Sequence, residues 1–142
     1  MAQQTINIGS SANDGTGDTL RAGGDKINDN FTELYGAIRA PVATESGTTY
    51  DLASADEGKY IRFTNTSAKT VNVRDEVDHA LPANGEWHIR NVGANDLTLD
   101  EDTAVTINPP ADGTLVVPPG GTVTLKRVAE DEFDLFGVTV PA

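Results

Sequence analysis

Thr70-Val71-Asn72-Val73-Arg74 decides the reading of this chain. Its two valines stand two apart with polar residues between them, the signature of a strand with one buried and one wet face. The same spacing recurs on both sides: Ile61 and Phe63, Trp87 and Ile89, Leu97 and Leu99, Val105 and Ile107, Leu115 and Val117, Val123 and Leu125, then Phe133 and Leu135. Turn signals separate the runs, at Asn84-Gly85, Ala94-Asn95-Asp96, Asn108-Pro109-Pro110, Asp112-Gly113 and Pro118-Pro119-Gly120-Gly121. About eight or nine such strands predict a β-sandwich or barrel, most simply a jelly roll. The expected fold class is therefore mainly β, with an antiparallel sandwich over residues 41–142.

Upstream of Pro41 the pattern changes. Residues 18–39 place Leu20, Ile27, Phe31, Leu34 and Ile38 on one line, and counting Gly24 in the first gap gives the spacing 4-3-4-3-4 of a heptad seam. The flanks are polar (Asp25, Lys26, Asn28, Asp29, Asn30), so the stripe is narrow and better suited to copies of itself than to a broad core. Packing on its own β domain is the alternative. Asp18 or Thr19 can cap the helix start, Gly23-Gly24 weakens its first turns, and Pro41 ends it. Before the helix runs a polar arm. Ile6 and Ile8 stand two apart and can add a strand to another surface, and Asn13-Asp14-Gly15 is a turn. The arm has little to bury and is expected to order only on a partner. Residues 1–40 are thus expected to dock and oligomerise, with Ile6, Ile8, Asn13 and Asp14 at the partner and Leu20, Ile27, Phe31, Leu34 and Ile38 in the oligomer seam.

Composition narrows the function classes. Ten Lys+Arg against 22 Asp+Glu give a formal charge of −12, and the basic residues are scattered singly, so no nucleic-acid partner is expected. No apolar run approaches the ~18 residues that span a bilayer, so no membrane partner is expected either. The start lacks a basic and apolar leader, and the absence of cysteine excludes disulfides and thiol chemistry.

Catalytic constellations are missing from the pattern. His79 lies in a polar loop, and His88, between Trp87 and Ile89, points to the wet face; neither has a nucleophile at triad spacing. The carboxylate groups at Asp100-Glu101-Asp102 and Glu130-Asp131-Glu132 lack the aromatic lining of a sugar cleft. The segment from Asn13 to Asp18 has oxygen ligands but neither the register nor the distal Glu of a calcium loop, and turn and cap account for it. The glycines of residues 9–24 do not form a phosphate loop. The chain is expected to be no enzyme and to hold no cofactor or metal.

A resemblance carries the reading further. Ile6-Asn7-Ile8-Gly9, Asn13-Asp14-Gly15-Thr16-Gly17-Asp18-Thr19-Leu20-Arg21 and Lys26-Ile27-Asn28-Asp29-Asn30-Phe31 with Glu33-Leu34-Tyr35 resemble a segment recurrent in structural proteins of tailed-bacteriophage virions, near the start of tail-fibre, baseplate or head-associated chains. Gly23-Gly24 departs from it, where such segments often carry Ala and a larger apolar residue. Glu57-Gly58-Lys59-Tyr60-Ile61-Arg62-Phe63-Thr64-Asn65, the turn at residues 118–121 and Glu132-Phe133-Asp134-Leu135-Phe136-Gly137 resemble small β domains of phage appendage and head-decoration proteins, which are usually homotrimeric. The resemblance implies a virion protein assembled in the host cytoplasm, whose partners are itself, as a homotrimer, and a major capsid protein or a tail or baseplate protein. A chain of 142 residues with one β domain suits a cap or clamp better than a fibre, so a capsid decoration (cement) protein is the first expectation. A tail or baseplate component, such as a fibre adaptor or small tail-tip protein, is the alternative. A carbohydrate-binding module using Tyr50, Tyr60 and Phe136 is the third.

Overall fold

The computed structural model describes residues 4–11, 14–38 and 40–142, which fall into two compact units, Met1–Ala40 and Pro41–Ala142. In the first, one helix, α1, runs over Leu20–Ile38. Thr19 caps it, its Oγ1 accepting the Ala22 N–H at 3.2 Å, so of the two candidate caps Thr19 takes the role. Beyond the helix Ala40 sits at φ 44°, outside the right-handed helical region.

The second unit holds ten strands: β1 (Val42–Glu45), β2 (Thr49–Asp51), β3 (Tyr60–Phe63), β4 (Lys69–Val73), β5 (Glu86–Asn91), β6 (Leu97–Glu101), β7 (Thr106–Asn108), β8 (Val116–Val117), β9 (Thr122–Ala129) and β10 (Glu132–Gly137). They form a six-stranded sheet in the order β1-β3-β5-β9-β10-β7 and a four-stranded sheet in the order β2-β4-β6-β8. The chain is therefore mainly β with one helix, and both sheets are mixed.

The antiparallel jelly roll is corrected by the pairing. β1 with β3, β3 with β5, β2 with β4, β4 with β6 and β7 with β10 are all parallel. The chain lays one strand in the first sheet and the next in the second, winding as a flat coil. From β1 to β5 and from β2 to β6 each strand meets its predecessor in the same sheet after a full turn, and so points the same way. The strand in the opposite sheet serves as the crossover that parallel pairing requires. Antiparallel pairs occur where the winding stops, at β5–β9, β9–β10 and β6–β8. A two-residue period reports which face is buried; it carries no information about a neighbour's direction.

The inner faces of both sheets close on one core. Trp87, Phe63, Phe133, Ile61, Ile89, Val71, Leu99 and Leu125 are all buried. Register stacks like on like: Ala43, Ile61, Ile89 and Val123 line up across one sheet, and Tyr50, Val71 and Leu99 across the other. Lys69 breaks the apolar rule with 2% of its surface exposed. Its amine donates to the carbonyls of Asn65, Ser67 and Asn95 at 2.9, 3.1 and 2.8 Å, tying two successive turns together. Burial pulls its pKa below the ordinary lysine value. Gly93 lets these turns touch, since a Cβ there would lie 1.9 Å from the Asn65 carbonyl oxygen.

Candidate functional site

The first unit is a hairpin of arm on helix. Three helix positions on one stripe, Gly23, Lys26 and Asn30, receive the arm. Gln4 and Asn30 exchange two bonds: the Gln4 N–H donates to Asn30 Oδ1 at 2.9 Å, and Asn30 Nδ2 donates to the Gln4 carbonyl at 2.9 Å. Gln4 Nε2 also reaches Asp29. Lys26 Nζ donates to the Thr5 carbonyl at 3.0 Å and pairs with Asp18 at 2.7 Å. Ile6 lies beside Gly23, where an added Cβ would make an ordinary 3.6 Å contact with its Cγ2.

Asn7 is the hub of the turn. Its N–H donates to the Asp18 carboxylate at 2.8 Å, and its carbonyl accepts the Asp18 N–H at 2.7 Å. Its side chain donates to the Thr16 carbonyl and accepts the Gly9 N–H. Gly17 keeps this crossing close, since an added Cβ would make a tight 3.0 Å contact with the Asn7 carbonyl oxygen. Asp14 gathers the loop: it accepts from the N–H groups of Ser10, Ser11 and Thr16 and from the Ser10 hydroxyl. The Thr16 N–H foremost, then the Ser10 hydroxyl and the Ser11 N–H, hold its carboxyl far below the usual carboxylate range. Lys26 foremost, then the Asn7 N–H, lowers that of Asp18.

These facts relocate the sequence-predicted residues. The arm is ordered against its own helix, not only against a partner, and polar bonds do this where apolar burial had been sought. Ile6 is half-buried there, whereas Ile8 is 89% exposed. Residues 5–8 belong to no strand in this structure. The Asp14 carboxylate is committed to its own loop, and Asn13 lies outside the described residues. Leu20, Ile27, Phe31 and Leu34 remain exposed, at 95, 43, 53 and 46%. Tyr35 stacks on Phe31 beside them with ring centroids 6.4 Å apart. Ile38 closes the helix, its side chain outside what is described. The arm therefore occupies the flank of α1 and leaves Leu20, Ile27, Phe31 and Leu34 exposed. Lys26, Asn30 and Asn7 were missed as site residues. Their signal was the pairing of two polar blocks, which periodicity does not register.

Elsewhere polar groups serve the fold. The Tyr50 hydroxyl donates to Asp56 at 2.8 Å while its ring stands edge-on to Phe63, and burial foremost, then Asp56, raises its pKa. Tyr50 is thus no free sugar platform. His88 bonds Thr124 on the outer sheet face. Asp75, Asp78 and Asp102 bring carboxylate oxygens within 4.8 Å of one another, but Asp75 accepts the Asp78 N–H and Arg74 lies 3.9 Å from Asp102. Among the described residues only Asp102 of the three has a cationic neighbour, while Asp75 and Asp78 share a turn hydrogen bond.

Residues 3–115, spanning both units, match the family model of the bacteriophage T4 gp9/10-like protein, N-terminal. The chain belongs to that family. Among its relatives is the baseplate wedge protein gp10 of Enterobacteria phage T4, 36% identical over 106 residues, which cover 63% of this chain. The chain spans only 18% of that relative's length. Membership makes the chain a structural component of the phage particle. It also gives the gp9/10-like segment a physical reading: its two polar blocks are the two sides of the arm–helix hairpin.

Proposed function

We propose that the chain is a baseplate component that self-associates through the α1 seam, as a homotrimer, and docks on a neighbouring tail protein through the exposed side of its arm and turn. The observation that carries this is the bare seam. Ile27, Phe31 and Leu34 stand exposed on a helix whose adjacent flank is already filled by the arm. Exposed apolar side chains in heptad register gain stability by burial against copies of themselves. Ile8, exposed at the turn, is the large apolar group left free among the described residues of the arm. Three arms on one oligomer bind far more tightly together than singly. The role is structural and involves no chemistry.

Family membership and the T4 relative favour the tail or baseplate alternative over capsid decoration. The engagement of Tyr50 weighs against the carbohydrate-binding module. The test is to separate heads from tails of purified particles and probe both with an antibody to this chain. Signal in the tail fraction, at dozens of copies per particle or fewer, is expected. Hundreds of copies on heads would overturn the baseplate reading in favour of a cement protein.

A further inference from the structure

We propose that the outer face of the six-stranded sheet receives the outer face of the four-stranded sheet of a second copy. This deepens, and rests on, the self-assembly reading above. Arg62 on β3 and Arg90 on β5 are direct register partners on adjacent parallel strands, both half-buried on the outer face. Like charges placed opposite one another are unfavourable unless something offsets them. Residues 41–142 contain 17 carboxylates (22 in all less Asp14, Asp18, Asp25, Asp29 and Glu33), yet no described carboxylate pairs with either arginine. Arg90 reaches only the Gly120 carbonyl and Thr122 Oγ1. Because the two arginines are 28 positions apart, a sequence that scatters its basic residues still builds a cationic pair by register.

The opposite sheet carries the complement. Asp51, Asn72 and Asp100 form one row across β2, β4 and β6. Asp51 accepts from Asn72 at 2.6 Å and from Arg74, while Asp100 is exposed with no cationic partner among the described residues. Beside it lies a row of short branched side chains, Thr49, Thr70 and Thr98, which keeps that face flat. On the arginine face the neighbouring row runs from Val42 through Tyr60 and His88 to Phe136, with Val42 and Phe136 exposed at its ends. A row crossing these five strands is about 19 Å long, at four spacings of about 4.8 Å.

Copies of a chain at −12 repel one another, so contact between β units requires cation against anion locally. The arginine pair, half-buried and without a carboxylate partner among the described residues, is the cationic group of the β unit left free to supply it. One face meeting a different face is a heterologous contact, which builds a trimeric ring when each copy is turned by a third of a revolution.

Sedimentation velocity of the full chain tests this, with circular dichroism to confirm the fold of each variant. Arg62→Glu with Arg90→Glu should weaken association about tenfold or more, as should Asp100→Arg alone, and the triple variant should regain most of the loss. Association of the double variant equal to wild type, or a triple variant no better than its parents, would overturn the proposal. Ile27→Asp with Leu34→Asp separates the two readings. If only this seam variant dissociates, the face contact is wrong and the seam stands; if only the charge variants dissociate, the reverse holds. A wild-type monomer would overturn both.

Discussion

Asp18 and Lys26 meet at 2.7 Å, and from there the same amine reaches the Thr5 carbonyl at 3.0 Å. One side chain thus joins the turn before α1, the second turn of the helix, and the arm. Replacing it removes a polar clasp and leaves the apolar seam untouched. Lys26→Met should cost roughly 0.5–1 kcal/mol, the scale of a partly exposed ion pair and one hydrogen bond. Hydrogen exchange is the measurement: amides of residues 4–8 and Asp18 should exchange faster, with those of residues 27–34 unchanged.

The Asp14 loop should be acid-sensitive. Its carboxyl pKa is lower folded than unfolded, so its contribution is complete above the unfolded value, near pH 4, and is lost as pH falls through the depressed folded value. The amides of Ser10, Ser11 and Thr16, followed by NMR, should keep their bonded shifts down to that range and move below it. Asp14→Ala should give the released shifts at every pH.

Gly36 lies in the last turn of α1, with nothing among the described residues within 4 Å of an added Cβ, on the side of the helix away from the Ile27–Leu34 stripe. Gly36→Ala should therefore stabilise the helix by about 0.5–1 kcal/mol through backbone entropy alone. Thermal melts followed by helical dichroism should shift upward, with sedimentation unchanged.

Lys69→Met should destabilise the β unit by about 1–3 kcal/mol. It leaves the carbonyls of Asn65, Ser67 and Asn95 without the common donor that ties their turns together. A lower urea midpoint at unchanged slope would show it.

The strands were legible because burial follows the two-residue period: Ile61, Val71, Trp87, Leu99, Val123 and Phe133 are all interior. Their direction was not, since alternation is blind to it. A signal for the coil did exist. Ile61-Arg62 recurs as Ile89-Arg90, and Thr70-Val71-Asn72 as Thr98-Leu99-Asp100, both at an offset of 28, and these are the residues that stand in parallel register. The apolar stripe of α1 was visible in its spacing, and Leu20, Ile27, Phe31 and Leu34 on it are exposed. The arm was misjudged because its contacts are polar and distant: Gln4 meets Asn30 across 26 positions. No local window contains such a pair, and a search for apolar burial passes over it.

The central claim is that Ile27, Phe31 and Leu34 form the surface by which copies of this chain hold together. Sedimentation equilibrium of the wild-type chain beside Ile27→Asp with Leu34→Asp tests it most directly. The account predicts an oligomer for the first and a monomer with intact β dichroism for the second. Equal masses for the two chains would contradict it.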